Sequence, residues 1–312
     1  MIKEEIMGQD EVAKKGPFNN EKRGVVFFYE FIGTALFLYC VLMTRDPAAV
    51  CFTLFGATVI FGRVSGGHFN PAVSTAIFFG QDTSEYGKNA VTYLLMVLAQ
   101  ILAAAPAIGL AQLTLFSGKI SHVELNRIHR LCPQSTTNMD FPRTFVCENQ
   151  DGKEGFHMDM QILIMQTLGT LVLSFVLNFV QGKHCKSTDD ALKGLAYSAT
   201  FMLLIYTGRR QGWCFNPAIA GTLGVFELYN APNAHHNLSR YLYAYCTGPI
   251  VGAVLAAFIY KCYNAELEPP KAEAAPQQQD QAAKDDADDD EKAKPTTGTA
   301  AGKNEGEMIN TA

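Results

Sequence analysis

Charge is scarce along most of this chain. Asp, Glu, Lys and Arg make up only 18% of its 312 residues, and they cluster in residues 1–24 and 264–312. The roughly 240 residues between hold long charge-free runs, so whole-chain averages that look soluble conceal a membrane protein. Ionisable groups are nearly missing from those runs, which argues against ion-coupled transport, a chemistry that needs them at mid-membrane depth. There is no Gly-rich phosphate loop and no nucleophile–base arrangement, so no enzyme is expected. Eight cysteines are present without CxxC or Cys/His metal spacing, so neither a metal site nor a cofactor is expected. The first apolar segment lacks a short basic leader and a small-residue cleavage site, and it reads as a span, not a signal peptide. No aromatic residue follows Pro269, and "DDADDDE" at Asp285–Glu291 adds charge, so this tail cannot bury enough apolar surface to order itself.

What is abundant is apolar sequence of membrane-crossing length. Val25–Met43 is 19 residues with one charge, Glu30, and about 20 helical residues cross a ~30 Å hydrocarbon core. Five more segments qualify: roughly 48–64, 90–116, 160–181, 192–208 and 241–260. Six spans place both termini on one side. Lys183, Lys186 and Lys193 in a short connection, and "EKRG" before the first span, assign that side to the cytoplasm.

Two apolar stretches are left over, "PAVSTAIFFG" at Pro71–Gly80 and "PAIAGTLGVFEL" at Pro217–Leu228. Each is half the length of a span. Each follows an Asn suited to the N-cap and begins with a Pro suited to the first helical position, so both read as re-entrant half-helices. The chain also repeats itself: "EFIGTALFLYC" from Glu30 aligns with "QTLGTLVLSFV" from Gln166, each followed by a span, an Asn-Pro-Ala and another span. Three spans per repeat is odd, so the second copy is inverted and the two half-helices meet near the midplane. Irregular backbone at that depth must be buried or line a water-filled cavity, and the carbonyls of Gly67, His68, Phe69, Trp213, Cys214 and Phe215 are expected as its unpaired acceptors.

The fold class is therefore all-α membrane protein, six spans plus two half-helices in an inverted repeat. Its parts are an N-terminal tail over 1–24, a channel domain over 25–262 with repeats at about 25–116 and 159–262, and an acidic tail over 263–312. Ala103, Ala104, Ala105 and Gly109, and the GxxxG match at Gly248 and Gly252, fit close helix contacts within the chain. Cys132 and Cys147 share the long outer loop, bridged or as free thiols. Asn237-Leu238-Ser239 is a sequon close to the last span, and His235 and His236 fall in a polar loop.

These residues resemble the major intrinsic proteins, the aquaporins and aquaglyceroporins, over about Val25–Tyr260. The carriers are "YEFIGT" at Tyr29–Thr34, "SGGHFNPAVS" at Ser65–Ser74, Gln100, "YTG" at Tyr206–Gly208, "FNPA" at Phe215–Ala218 and "GPIVGA" at Gly248–Ala253. The resemblance implies that Asn70-Pro71-Ala72 and Asn216-Pro217-Ala218 meet at the pore centre, where the Asn amides donate to a permeating oxygen. It implies that Glu30, and Gln166 where the family usually has Glu, brace the re-entrant loops. His68 reads as a packed side chain or a gate; Cys214 reads as a buried thiol or one exposed to mercurials. No nucleic-acid partner is expected, and a homotetramer in a plasma or vacuolar-type membrane is implied.

The pattern breaks after the second triplet. Many relatives place Arg there to line the narrowest constriction, and here the residue is Ile219. The facing positions fall at Val50, Thr200 and Trp213, giving a largely apolar constriction without its fixed cation. Arg209 and Arg210 lie in a longer loop and either reach that space or face solvent, and Ala220 supplies no Asp of the glycerol-facilitator kind. The expected function is a passive channel for water, with small neutral solutes such as glycerol, urea, ammonia or hydrogen peroxide as the alternative. A poorly conducting structural or junctional membrane protein is the reading from another class.

Overall fold

The computed structural model describes residues 22–44, 46–115, 155–185, 189–208, 212–230 and 235–267. They form helices α1 Arg23–Met43, α2 Pro47–Ser65, α3 Pro71–Gly80, α4 Tyr86–Leu102, α5 Ala104–Leu115, α6 Gly155–Gln181, α7 Asp190–Thr207, α8 Pro217–Asn230 and α9 His235–Leu267, with one 3-10 turn at Thr83–Glu85. No strand occurs among the described residues. Cys132, Cys147, Arg209, Arg210 and the acidic tail lie outside them, as does the side chain of Asn237.

Local chemistry explains where the helices start. Asp46 caps α2 by accepting from the Ala48 amide at 2.9 Å, with Pro47 at the first helical position. Asp189 caps α7 through the Ala191 amide at 2.8 Å. Gly66 ends α2 with φ 95°, a left-handed cap that glycine adopts without a Cβ penalty.

Five stretches are long and apolar enough to cross a membrane: α1, α2, the α4–α5 segment, α6 and α9. The sixth crossing position belongs to α7, whose first turn carries Asp190 and Lys193 and so lowers its apolarity. The third span differs from the single helix expected over 90–116. It turns at Ala103, because Pro106 has no N–H for the Leu102 carbonyl and its ring crowds that carbonyl. At the other end, α9 starts well before residue 241, so His235 and His236 open a helix instead of lying in a loop. It also runs past residue 262 to Leu267.

Outward faces carry Phe52 at 71% exposure, Leu113 at 79% and Phe258 at 67%, which suits lipid and not water. Inward contacts use small residues. A Cβ on Gly248 would stand 2.7 Å from the Gln166 Cβ and 3.2 Å from the Leu163 carbonyl, and one on Gly252 would overlap the Thr167 carbonyl. The GxxxG face is therefore spent on the α6–α9 contact inside the chain. In the third span the buried stripe is Ala103, Ala107 and Ala111, spaced by one turn, while Ala105 and Gly109 face outward and Ala104 is half-buried.

Each half-helix packs into the opposite repeat. Helix α3 lies against α6 and α9, and α8 lies against α1 and α5. This exchange brings the N-termini of α3 and α8 together, which is what positions the site.

Candidate functional site

The first re-entrant loop hangs from one carboxylate. Glu30 is fully buried, and its Oε1 accepts from the Ser65 hydroxyl at 2.8 Å and the His68 amide at 3.1 Å. Its Oε2 accepts from the Phe69 amide at 2.9 Å and the Gln100 side chain at 2.7 Å. Hydrogen bonds to a charged acceptor contribute about 1.5–3 kcal/mol each, which lets four neutral donors hold a buried anion. The loop needs that support, because Phe69 has φ 45°, a conformation costing roughly 1–3 kcal/mol for a residue with a Cβ. Its ring rests on Gly33, where any Cβ would overlap the Phe69 ring.

The second loop repeats the plan. Gln166 Oε1 accepts from the Phe215 amide at 2.8 Å, and its Nε2 donates to the Gly212 carbonyl at 2.8 Å. Phe215 has φ 54°, and its ring rests on Gly169 as Phe69 rests on Gly33. The spacing from polar brace to glycine is the same, three residues, in both copies.

Between the loops the Asn caps cross over. Asn70 Oδ1 accepts from the Ala72 amide at 2.9 Å while its Nδ2 donates to the Phe215 carbonyl at 2.9 Å. Asn216 accepts from the Ala218 amide at 2.9 Å and donates to the Phe69 carbonyl at 2.9 Å. Pro71 and Pro217 occupy the first helical positions behind them. The Asn-Pro-Ala pairs are thus locked head to head, each cap completing the other repeat's loop.

This corrects the expectation that the loop carbonyls are unpaired. His68 accepts from the Tyr197 hydroxyl at 2.9 Å, and Phe69 and Phe215 accept from the Asn amides. A buried carbonyl without a donor is costly, and side chains from the opposite repeat supply the donors. Gly67, Trp213 and Cys214, expected with them, are buried in the same two loops. The His68 ring is buried, with Nδ1 3.1 Å from the Ser74 hydroxyl. Cys214 is also buried, its thiol donating to the Asn216 carbonyl at 3.1 Å, so it offers no thiol at the mouth.

At the proposed constriction, Val50, Trp213 and Ile219 are buried, and Ala220 beside Ile219 is too. Thr200 stands on α7 one residue before the buried Phe201. It is half-buried and donates to the Ala196 carbonyl of its own helix at 2.7 Å. The Phe201 ring meets Trp213 edge-on at 5.9 Å, Phe37 at 5.9 Å and Phe215 at 6.4 Å.

Sequence reasoning missed Gly33, Gly169, Ser65, Tyr197, Phe201 and Phe37. The glycines sit at the same offset in both repeats and are visible in the alignment of "EFIGT" with "QTLGT". Tyr197 and Phe201 share a face with Gly194 and Ile205 at spacings of three and four residues, a pattern that marks the inward side of α7.

The family model described as "Major intrinsic protein" matches residues 47–260. Among curated relatives, the chain is 25% identical over 250 residues to "Glycerol uptake facilitator protein-like 6" of Lactiplantibacillus plantarum, covering 77% of this chain and 98% of the relative. It is 34% identical over 256 residues to "Probable aquaporin PIP2-7" of Oryza sativa subsp. japonica, covering 74% and 76%. It is 30% identical over 205 residues to "Aquaporin NIP1-1" of Zea mays, covering 64% of this chain and 55% of that longer protein. Among solved structures, the aquaglyceroporin from Plasmodium falciparum aligns with a TM-score of 0.56 at 17% identity, over 79% of this chain and all of that one. That likeness concerns the fold. With a match across two thirds of the chain and paired half-helices at its centre, the protein belongs to the major intrinsic protein family of membrane channels for water and small solutes.

Proposed function

We propose that this protein is a passive pore that conducts water and, beside it, small neutral solutes of glycerol size. The observation that carries the reading is the head-to-head meeting of α3 and α8, with Asn70 and Asn216 donating across the junction. Each helix N-terminus presents about half a positive charge, so the centre repels cations while a neutral molecule passes. Exclusion of protons by such half-helix dipoles is known behaviour of aquaporin-type pores. Solute admission is supported by the outer constriction, where apolar Val50 and Ile219 and aromatic Trp213, Phe201 and Phe37 replace a fixed guanidinium. Walls of this kind favour a permeant with C–H faces over strict selection for water.

A homotetramer with one pore per protomer, and both termini in the cytoplasm, complete the proposal; chemical cross-linking in membranes and protease protection of tagged termini check these parts. Stopped-flow light scattering on proteoliposomes tests the function itself, first with an impermeant osmolyte and then with glycerol, urea and hydrogen peroxide. Permeability to water and glycerol above that of empty vesicles is the expected result. Water alone would refute the solute reading. The edge-on contacts of Phe37, Phe201, Trp213 and Phe215 favour one other reading, a structural membrane protein closed at this layer. Permeability to every permeant equal to that of empty vesicles would establish it.

A further inference from the structure

The two repeats share one plan until the group beneath each loop. Glu30 accepts four hydrogen bonds and, as a carboxylate, donates none. Gln166 accepts one bond from the Phe215 amide and donates one to the Gly212 carbonyl, both at 2.8 Å. In the first repeat the equivalent carbonyl, that of Gly66, is met from elsewhere, by the Gln181 side chain at 3.2 Å, and not by the brace itself. The acceptor in the second repeat, Gly212, has φ 75°, the left-handed conformation that glycine takes at little cost, and this turns its carbonyl toward Gln166. The next residue is Trp213, nearly buried against Phe201 and the only tryptophan in the chain.

We propose that Gln166 is a positioning residue for selectivity: its amide N–H holds the Gly212 carbonyl and so sets where Trp213 stands in the constriction, a task a carboxylate cannot perform. A carboxylate at this position would place an acceptor oxygen where the Gln amide now donates, and two acceptors at 2.8 Å repel. The side chain is fully buried and cannot turn to solvent. Its stem is closed in by Gly248, where a Cβ would lie 2.7 Å from the Gln166 Cβ. The loop must therefore yield, and Trp213 moves with it. The amide that stands where the first repeat has a carboxylate is thus matched to the same segment that carries the tryptophan. The transport consequence rests on the channel reading above, but the positioning does not.

The test uses the full chain in liposomes, with Gln166→Glu and the isosteric non-bonding Gln166→Met. Because Trp213 is the sole tryptophan, its emission reads the loop directly. Gln166→Glu loses only the donated bond, which raises the population of displaced loop conformers up to about tenfold, and Gln166→Met loses the bond from the Phe215 amide as well and displaces the loop further. The expected result is a red-shifted emission with greater acrylamide quenching, together with a changed ratio of glycerol to water permeability. If the Gln166→Glu protein is not recovered from the membrane, the Gln166→Met protein is read by the same criteria. Emission and quenching equal to wild type in the folded variants would overturn the proposal, even if permeability changed. Shifted emission in vesicles that conduct nothing, wild type included, would support the positioning and refute the channel reading instead.

Discussion

Replacing Glu30 by Ala removes the acceptor for four donors, and the structure says how many of them lose everything. Ser65 can turn its hydroxyl to the Phe61 carbonyl, already 3.3 Å away. Gln100 keeps its bond to the Ser74 hydroxyl at 2.8 Å. The His68 and Phe69 amides both point at the carboxylate, and both sit on a loop with φ 45° at Phe69. Two orphaned buried amides at about 1–3 kcal/mol each give a destabilisation of roughly 2–6 kcal/mol. Glu30→Gln is milder. Its oxygen can replace Oε2, and its NH2 can donate to a reoriented Ser65 hydroxyl, leaving only the His68 amide unmet, about 1–3 kcal/mol. The order of apparent melting temperature in detergent is therefore wild type, then Gln, then Ala. Reaction of the buried Cys51 and Cys214 thiols with a maleimide dye during heating reports it. Water permeability per protein is expected to fall in the same order, since the loop displaced is the one carrying Asn70. Wild-type melting and permeability in the Ala variant would refute the idea that this carboxylate holds the loop.

Introducing a guanidinium by Ile219→Arg is expected to lower the ratio of glycerol to water permeability in proteoliposomes, by size and by added positive charge. Tyr197→Phe frees the His68 carbonyl for a permeating molecule and removes one hydrogen bond, so stability falls by about 0.5–1.5 kcal/mol while water permeability rises; stopped-flow and thermal unfolding measure the two. An impermeant mercurial is expected to leave permeability unchanged through Cys214, whose thiol is buried and bonded to the Asn216 carbonyl; a Cys214→Ser comparison in the same assay checks this.

The half-helices are legible in the sequence because their signals are local. An Asn cap and a Pro at the first helical position depend on two adjacent residues, and the doubling of "FNPA" needs only a comparison of the chain with itself. The break at Ala103 also has a local mark, Pro106, although apolarity alone runs straight through it. The paired carbonyls have none. Their donors lie 145 and 147 residues away for the Asn bonds and 129 for Tyr197, and no local pattern links such positions. Phe201 has a mark of a different kind. The face of α7 is the guide, because Gly194, Tyr197, Phe201 and Ile205 follow the helical period whatever the register of the loop.

The symmetry also explains where divergence is tolerated. Asn70 serves the Phe215 carbonyl and Asn216 serves the Phe69 carbonyl, so a change in either triplet damages both loops at once. Outside that junction a residue answers to one repeat only. Ile219 stands three residues after its Asn, as Val73 stands after Asn70, and both are buried β-branched side chains. In this chain the second repeat thus carries after its Asn-Pro-Ala the apolar packing that the first repeat has at the equivalent place. A cation there would break the likeness; an isoleucine returns the position to packing, and on the channel reading proposed above discrimination falls to Trp213 and its neighbours. Trp213 comes from the loop whose Phe215 carbonyl accepts directly from Asn70, and Phe201 comes from α7 and meets the Phe215 ring. On the channel reading, selectivity can therefore drift most freely at residue 219, and conservative apolar variants there are expected to change which solute passes before they change whether the protein folds.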